Sequence, residues 1–202
     1  MKKIMKNPIF VMKTGVVFFY VFMLIAQLFP PEGYNLLIHN VSQLGPQNHD
    51  LSWIMRIAFI GSALLWMIAL YVNKKTPVLH PFVAYGFLAI SVFIVVAGVF
   101  QASLDTVPGT INTLEATIHT YAGHGSQVIG LFILLEHVLK SKGRMKTIHL
   151  MFLALLILWS IFFEISPNVG LWQRILAVTH STWTLLFLNT YVLKKAGTHV
   201  TI

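Results

Sequence analysis

The sequence predicts an all-α, polytopic integral membrane protein: six transmembrane helices in one bundle, with both termini in the cytoplasm. Three observations predict it. Of 202 residues, 56% are hydrophobic and only 10% charged, against about a quarter charged in a soluble domain; mean hydropathy is +0.76. Charge-free windows recur at Thr14–Pro31, Ile57–Asn73, Thr76–Leu104, Ala116–Leu135, Thr147–Phe163 and Ile175–Leu193, each near the roughly 17 to 25 residues a spanning helix needs. Finally, twelve of the fourteen basic residues fall on one side of a six-span arrangement.

The first span, 11–30, follows MKKIMK much as a secretory signal would. Its apolar run ends in QLFPPEG with no small-x-small cleavage site, which predicts a retained helix stopped by Pro30-Pro31. Segment 31–52 is an outer loop with its own apolar set, Tyr34, Leu36, Leu37 and Ile38, and is expected to fold over the helix ends as a lid. The remaining spans are 53–73, 81–103, 115–139, 147–164 and 172–193. At bilayer depth no water satisfies the backbone, so these segments must be helices. Alternating, barrel-like patterning is absent. No linker or low-complexity stretch divides residues 1–202, which are read as one transmembrane domain.

The net charge is +8, but its distribution argues against nucleic acid as a partner. Lys2, Lys3, Lys6 and Lys13, then Lys74 and Lys75, then Lys140, Lys142, Arg144 and Lys146, then Lys194 and Lys195 all lie on one side; that is the cytoplasmic side by the positive-inside rule, where basic residues also meet anionic lipid. Arg56 and Arg174 lie opposite, with five of the six acids. Cysteine is absent, which excludes disulfide and thiolate chemistry.

The fourth and sixth spans carry the most polar groups. On a helix Thr120, His124 and Gln127 form one stripe, and His119, Gly123, Ser126 and Gly130 a second that suits close helix packing. His119 and His124 stand about 140° apart at 3.6 residues per turn, unlike the HExxH arrangement of a zinc site. In GLWQRILAVTHSTWT, Gln173, His180 and Thr184 share a face and Arg174 lies beside it. Arg174 can bind an anionic headgroup bidentately or snorkel to the interface. Polar groups inside a bilayer are costly and mark candidate sites, although neutral histidines also simply tie helices together. Asp105 either joins the site or starts the turn before Pro108-Gly109, and Asn112 or Thr113 is placed to cap the fourth helix, with Glu115 in its first turn.

Several short motifs occur in a recognisable order. Ser42-x-Leu44-Gly45, Val99-Phe100 followed by Asp105, His119, and Gly170-Leu171-Trp172-Gln173-Arg174 together resemble the family called domain of unknown function 998, six-helix membrane proteins of bacteria and archaea. NVSQLGPQNHD, and FQASLDT followed by HTYAGHG, are more distantly similar to the six-helix superfamily of autophagy modulators and lipid-remodelling proteins. Gln173 departs from the family pattern, where an acid is expected before the arginine, so a Glu–Arg pair is not available here. The resemblance implies the fold and a multi-pass place in a prokaryotic plasma membrane, and the distant likeness a tilt towards lipids. It implies no reaction and no cofactor.

The resulting expectation is a lipid-handling protein with an outer-leaflet-facing polar pocket between the fourth and sixth spans, covered by the first loop. Asp105, His119, His124 and His180 are the candidate catalytic groups, and Arg174, Gln127, Thr120 and Ser42 the candidate substrate-binding ones. An enzyme of this design would be a lipid hydrolase or transferase, although no nucleophile-elbow motif is present and no spacing specifies a metal. Two alternatives stand beside it: a proton or small-solute transporter, and a sensing subunit that binds itself or another membrane protein.

Overall fold

The computed structural model describes residues 7–75 and 77–195, with side chains described as far as Leu188. Lys2, Lys3 and Lys6, and the side chains of Lys194 and Lys195, lie outside the described part. The described residues form six helices, α1 (Pro8–Gln27), α2 (Trp53–Lys75), α3 (Pro81–Val99), α4 (Thr113–Lys140), α5 (Gly143–Ile165) and α6 (Val169–Lys195), with one 3-10 turn at Val41–Leu44. No strand occurs among the described residues. Five helices, α1 to α5, are long and apolar enough to cross a membrane. The sixth was expected to be their equal, but Gln173, Arg174, His180 and its hydroxyl residues dilute its apolar character.

Capping chemistry explains where the helices begin. The Asn7 side chain accepts from the amides of Ile9 and Phe10 at 3.1 and 3.3 Å, and Pro8 supplies a ready-made first-turn φ; α1 therefore starts and ends about three residues before the expected 11–30. Asn73 is buried at the end of α2, and its Oδ1 accepts from Val78 and Leu79 at 2.8 and 3.0 Å. That side chain shapes the turn into Pro81, the first residue of α3. Asn112 caps α4 by accepting from the Glu115 amide at 3.1 Å. Glu115 in turn accepts from the Gln101 amide at 2.8 Å, fixing the segment that leaves α3. Phe100 is extended (φ −87°, ψ 131°), so α3 stops short of the expected 103.

Neighbouring helices pack in chain order, and α6 returns to α1, so the six form a closed ring. Lys74, Lys75, Lys140, Lys142, Arg144 and Lys146 gather at one end, called here the basic end. The other end carries the loops 28–52 and 100–112. Inside the ring, towards the basic end, Met12, Phe87, Ile133, Leu134, Trp183 and Leu188 are all buried within one cluster. A second cluster, built on Ala26, Val41, Leu44, Ile54, Met55 and Ala58, fills the loop end. Between the two plugs the ring is not filled.

Candidate functional site

The gap between the plugs is a cavity of about 200 Å³ to which every helix contributes. From α1 come Val16 and Tyr20, from α2 Ser62 and Trp66, from α3 Ile90 and Ile94, from α4 Ser126, Gln127 and Leu131, from α5 Leu156 and Ser160, and from α6 Ala177, His180 and Ser181. These positions lie near the middle of their helices, so the cavity is at mid-depth of the bundle. A ring of six helices has a wider axis than a four-helix bundle, and side chains of ordinary size leave space there. The walls are chiefly apolar, with hydroxyl, amide and imidazole groups set among them.

Most of the hydroxyls are already satisfied. Ser62 donates to Phe59 O at 2.9 Å, Ser126 to Gly123 O at 2.7 Å and Ser160 to Leu156 O at 2.8 Å; Tyr20 donates to Ser181 Oγ at 3.0 Å, bridging α1 and α6. Gln127 and His180 differ. Both line the cavity, and neither makes a hydrogen bond to another described residue. The His180 ring is held by stacking on Trp183 (centroids 6.0 Å, 18°) and by the backbone of α4. A Cβ on Gly130 would collide with its Cε1, so only glycine lets the ring lie there. No Asp, Glu, Lys or Arg lines the cavity. No serine hydroxyl bonds to His180 among the described residues, so no nucleophile–base pair is in place.

The other candidate residues do not meet there, which corrects the expectation of a single outer pocket. His119 is buried (8% exposed), with Nδ1 2.7 Å from Ala97 O and 2.9 Å from Phe100 O. Carbonyls only accept, so Nδ1 carries the proton and ties off two open carbonyls at the end of α3. Asp105 is exposed in a turn, as its residue type favours. Thr120 and His124 are exposed and line a shallow outer groove with Ser103 and Thr113; Thr120 bonds back to Ala116 O at 2.9 Å. Ser42 contributes its carbonyl to the 3-10 turn, accepting from Gly45 N at 3.1 Å. Of the eight candidates, Gln127 and His180 alone face the cavity. The small-residue seam is also revised: a Cβ on Gly123 would meet nothing within 4 Å, and the close approach is at Gly130.

Arg174 belongs to the cap. Its Nη1 donates to Leu36 O at 2.8 Å, His39 O at 3.0 Å and Gly170 O at 2.8 Å, and its Nη2 to the Tyr34 hydroxyl. The expected headgroup ligand is thus engaged by its own chain. Tyr34 in turn donates to Asn40 O at 3.1 Å, which requires a neutral phenol; burial pushes its pKa upward, with the Arg174 charge opposing. Gln173 Oε1 accepts from Val41 N at 2.6 Å, and Leu171 N donates to Leu37 O at 3.0 Å. Gly170 is pressed against the carbonyls of Leu36 and His39, where a Cβ would not fit. The start of α6 is therefore a clasp for residues 34–41. Gln47 holds the other half of the loop: its amide bridges Gln101 O, Asn112 O and Asn112 N at 3.2, 3.0 and 2.7 Å. The expected lid is a fastened cap.

A comparison with protein families matches residues 14–189 to the protein of unknown function family DUF998. The chain belongs to that family. No curated protein and no solved structure matches it. The short motifs that carried the resemblance lie at the loop end of this DUF998 protein. Gly170 to Arg174 form the clasp, Ser42 to Gly45 the turn beside it, and His119 the tie between α4 and the end of α3.

One further cluster escaped the sequence reading. Near the basic end the His137 and His149 rings lie 5.6 Å apart, Trp183 Nε1 donates to His149 Nδ1 at 3.1 Å, and His137 Nδ1 lies 2.7 Å from Ile133 O. All three rings belong to the packing at the basic end, and the usable signal was His137 and Trp183 at core-facing positions of their helices.

Proposed function

We propose that this DUF998 protein binds a small amphipathic membrane molecule in its central cavity. The observation that carries the reading is the combination of a chiefly apolar chamber of about 200 Å³ with two polar side chains, His180 and Gln127, that face it and have no protein partner among the described residues. A polar group in an apolar interior without a partner costs about 1–3 kcal/mol, and a ligand bearing one hydroxyl or carbonyl group removes that cost. Such a mixture of many apolar contacts and few convergent polar ones is typical of small-molecule sites. The basic end faces the cytoplasm in this reading, as the positive-inside rule requires. Among the described residues the Trp183 plug lies at one end of the chamber and the fastened cap at the other, which favours binding over conduction.

The test is the small-molecule content of the purified protein, measured by mass spectrometry. Ser126→Phe and Ala177→Phe each fill the chamber and should strip the bound amphiphile at least tenfold, whereas His124→Ala in the outer groove should leave it. Equal content in all four proteins would end the proposal.

A further inference from the structure

The way the ring is closed bears on what the chamber takes and from where; this step rests on the binding reading above. At the loop end Arg174, Gln173 and Gln47 fasten the cap, and at the basic end the described residues pack into the aromatic plug. Between helices, most seams are tied by interlocking groups. Trp66 Nε1 donates to Met12 O at 3.0 Å across α1–α2, and Trp66 meets Phe87 edge-on at 5.3 Å across α2–α3. His119 joins α3 to α4, His137 lies against His149 across α4–α5, and Trp172 stacks on Phe162 and Trp159 (centroids 4.6 and 5.4 Å) across α5–α6. The α1–α6 seam is the exception. Among the described residues it is the sparsest of the six helix contacts, and at the level of the cavity it is crossed by a single side-chain hydrogen bond, from Tyr20 to Ser181 at 3.0 Å. Tyr20 on one side and Ser181 on the other are both cavity walls and seam residues; Val16 and Ala177, each one turn along its own helix, line the cavity as well.

We infer that the chamber is filled sideways from the bilayer through the α1–α6 seam, by an uncharged single-chain amphiphile with a hydroxyl or carbonyl head. The head bonds His180 and Gln127; the tail passes between Tyr20 and Ala177 into the surrounding lipid. Charge is excluded because burying an ion without a partner costs far more than a polar group, and no charged side chain lines the wall. Size limits the head: a chamber of about 200 Å³ is little larger than the roughly 150 Å³ cavity that holds benzene, enough for a small head and its first few carbons but not for the glycerol and two ester groups of a two-chain lipid.

The chain has no cysteine, so Tyr20→Cys/Ser181→Cys introduces the only two thiols, and a bis-methanethiosulfonate reagent, each arm forming a disulfide with one thiol as its sulfinate leaves, can bridge the seam until a reductant reopens it. The probe is a long-chain alcohol with a diazirine next to its hydroxyl, added to proteoliposomes and photolysed, with labelling of the Gln127–Leu131 region read by peptide mass spectrometry. Bridging should slow labelling at least tenfold, and cleavage of the bridge within the same protein should restore it. Tyr20→Cys/Ala177→Cys, offset by one helical turn along the seam, provides the same comparison if the first pair does not fold. Labelling unchanged by bridging in either pair overturns the seam route while the binding reading stands. Labelling as fast with the carboxylate or sulfate of the same chain overturns the uncharged class. Absence of labelling in the cavity in every form, open or bridged, overturns both this inference and the binding reading.

Discussion

Replacing Arg174 by Ala separates a clasp from a lipid anchor. In the structure the guanidinium makes three bonds across to the loop, to Leu36 O, His39 O and the Tyr34 hydroxyl. Hydrogen bonds to a charged group contribute about 1.5–3 kcal/mol each, so the sum is roughly 5 kcal/mol at the low end. Leu36 is exposed and water can replace part of what is lost, which brings the expected local cost to about 3 kcal/mol. At 1.4 kcal/mol per tenfold the opening of residues 34–41 should become about a hundredfold more frequent. Amide hydrogen exchange on peptides from the loop measures this directly. Faster exchange should be confined to 34–41, where Val41 N bonds Gln173, while 45–48 stays protected by Gln47. Arg174→Lys, which keeps a charge but not the fork, should fall between the two. Exchange in the Ala variant within about threefold of the original protein would refute the clasp, and loss of bound lipid without loosening of the loop would restore the anchor.

Three further outcomes follow from the same geometry. His119→Ala frees two carbonyls at the end of α3 and leaves a hole beside Phe59, a loss of about 2–3 kcal/mol that should lower the thermal midpoint in detergent by about 5–10 °C; an unchanged midpoint would contradict the role given to His119. Gly130→Val drives a side chain into the His180 ring and should displace it into the chamber, reducing bound amphiphile while the helical content measured by circular dichroism is kept. For Tyr34 the folded-state pKa lies above the ordinary 10.0, so the folded chain holds the proton to higher pH than the unfolded one. Its contribution is then intact below about pH 10 and is lost as pH rises through the folded value, so exchange at 34–41 should quicken in alkali in the original protein and lack that alkaline step in Tyr34→Phe.

The fold was legible because a bilayer imposes a simple code: apolar runs of spanning length, basic residues on one side, prolines and asparagines at the ends. Positions within the ring were less so. Helical periodicity groups Thr120, His124 and Gln127 on one stripe, but it does not say which neighbour the stripe meets; two of them turned outward and Gln127 faced the chamber. Arg174 reads as a headgroup ligand and His119 as a catalytic group because charged and ring side chains near a membrane draw attention. Their partners are backbone carbonyls, which exist at every residue and leave no mark in the sequence. Gln47 was passed over for the same reason. The chamber itself was signalled weakly, by lone hydroxyls at mid-span such as Tyr20, Ser62 and Ser160, each unremarkable until six helices bring them to one place.

The central claim, that an amphiphile occupies the middle of the ring, is tested most directly by the fluorescence of Trp66, which lines the chamber. A long-chain alcohol brominated next to its hydroxyl, titrated into proteoliposomes, should quench the component that is lost in Trp66→Phe. That quenching should saturate at low content and vanish in Ser126→Phe. Quenching that rises linearly with alcohol content, and is the same with the chamber filled, would contradict the account.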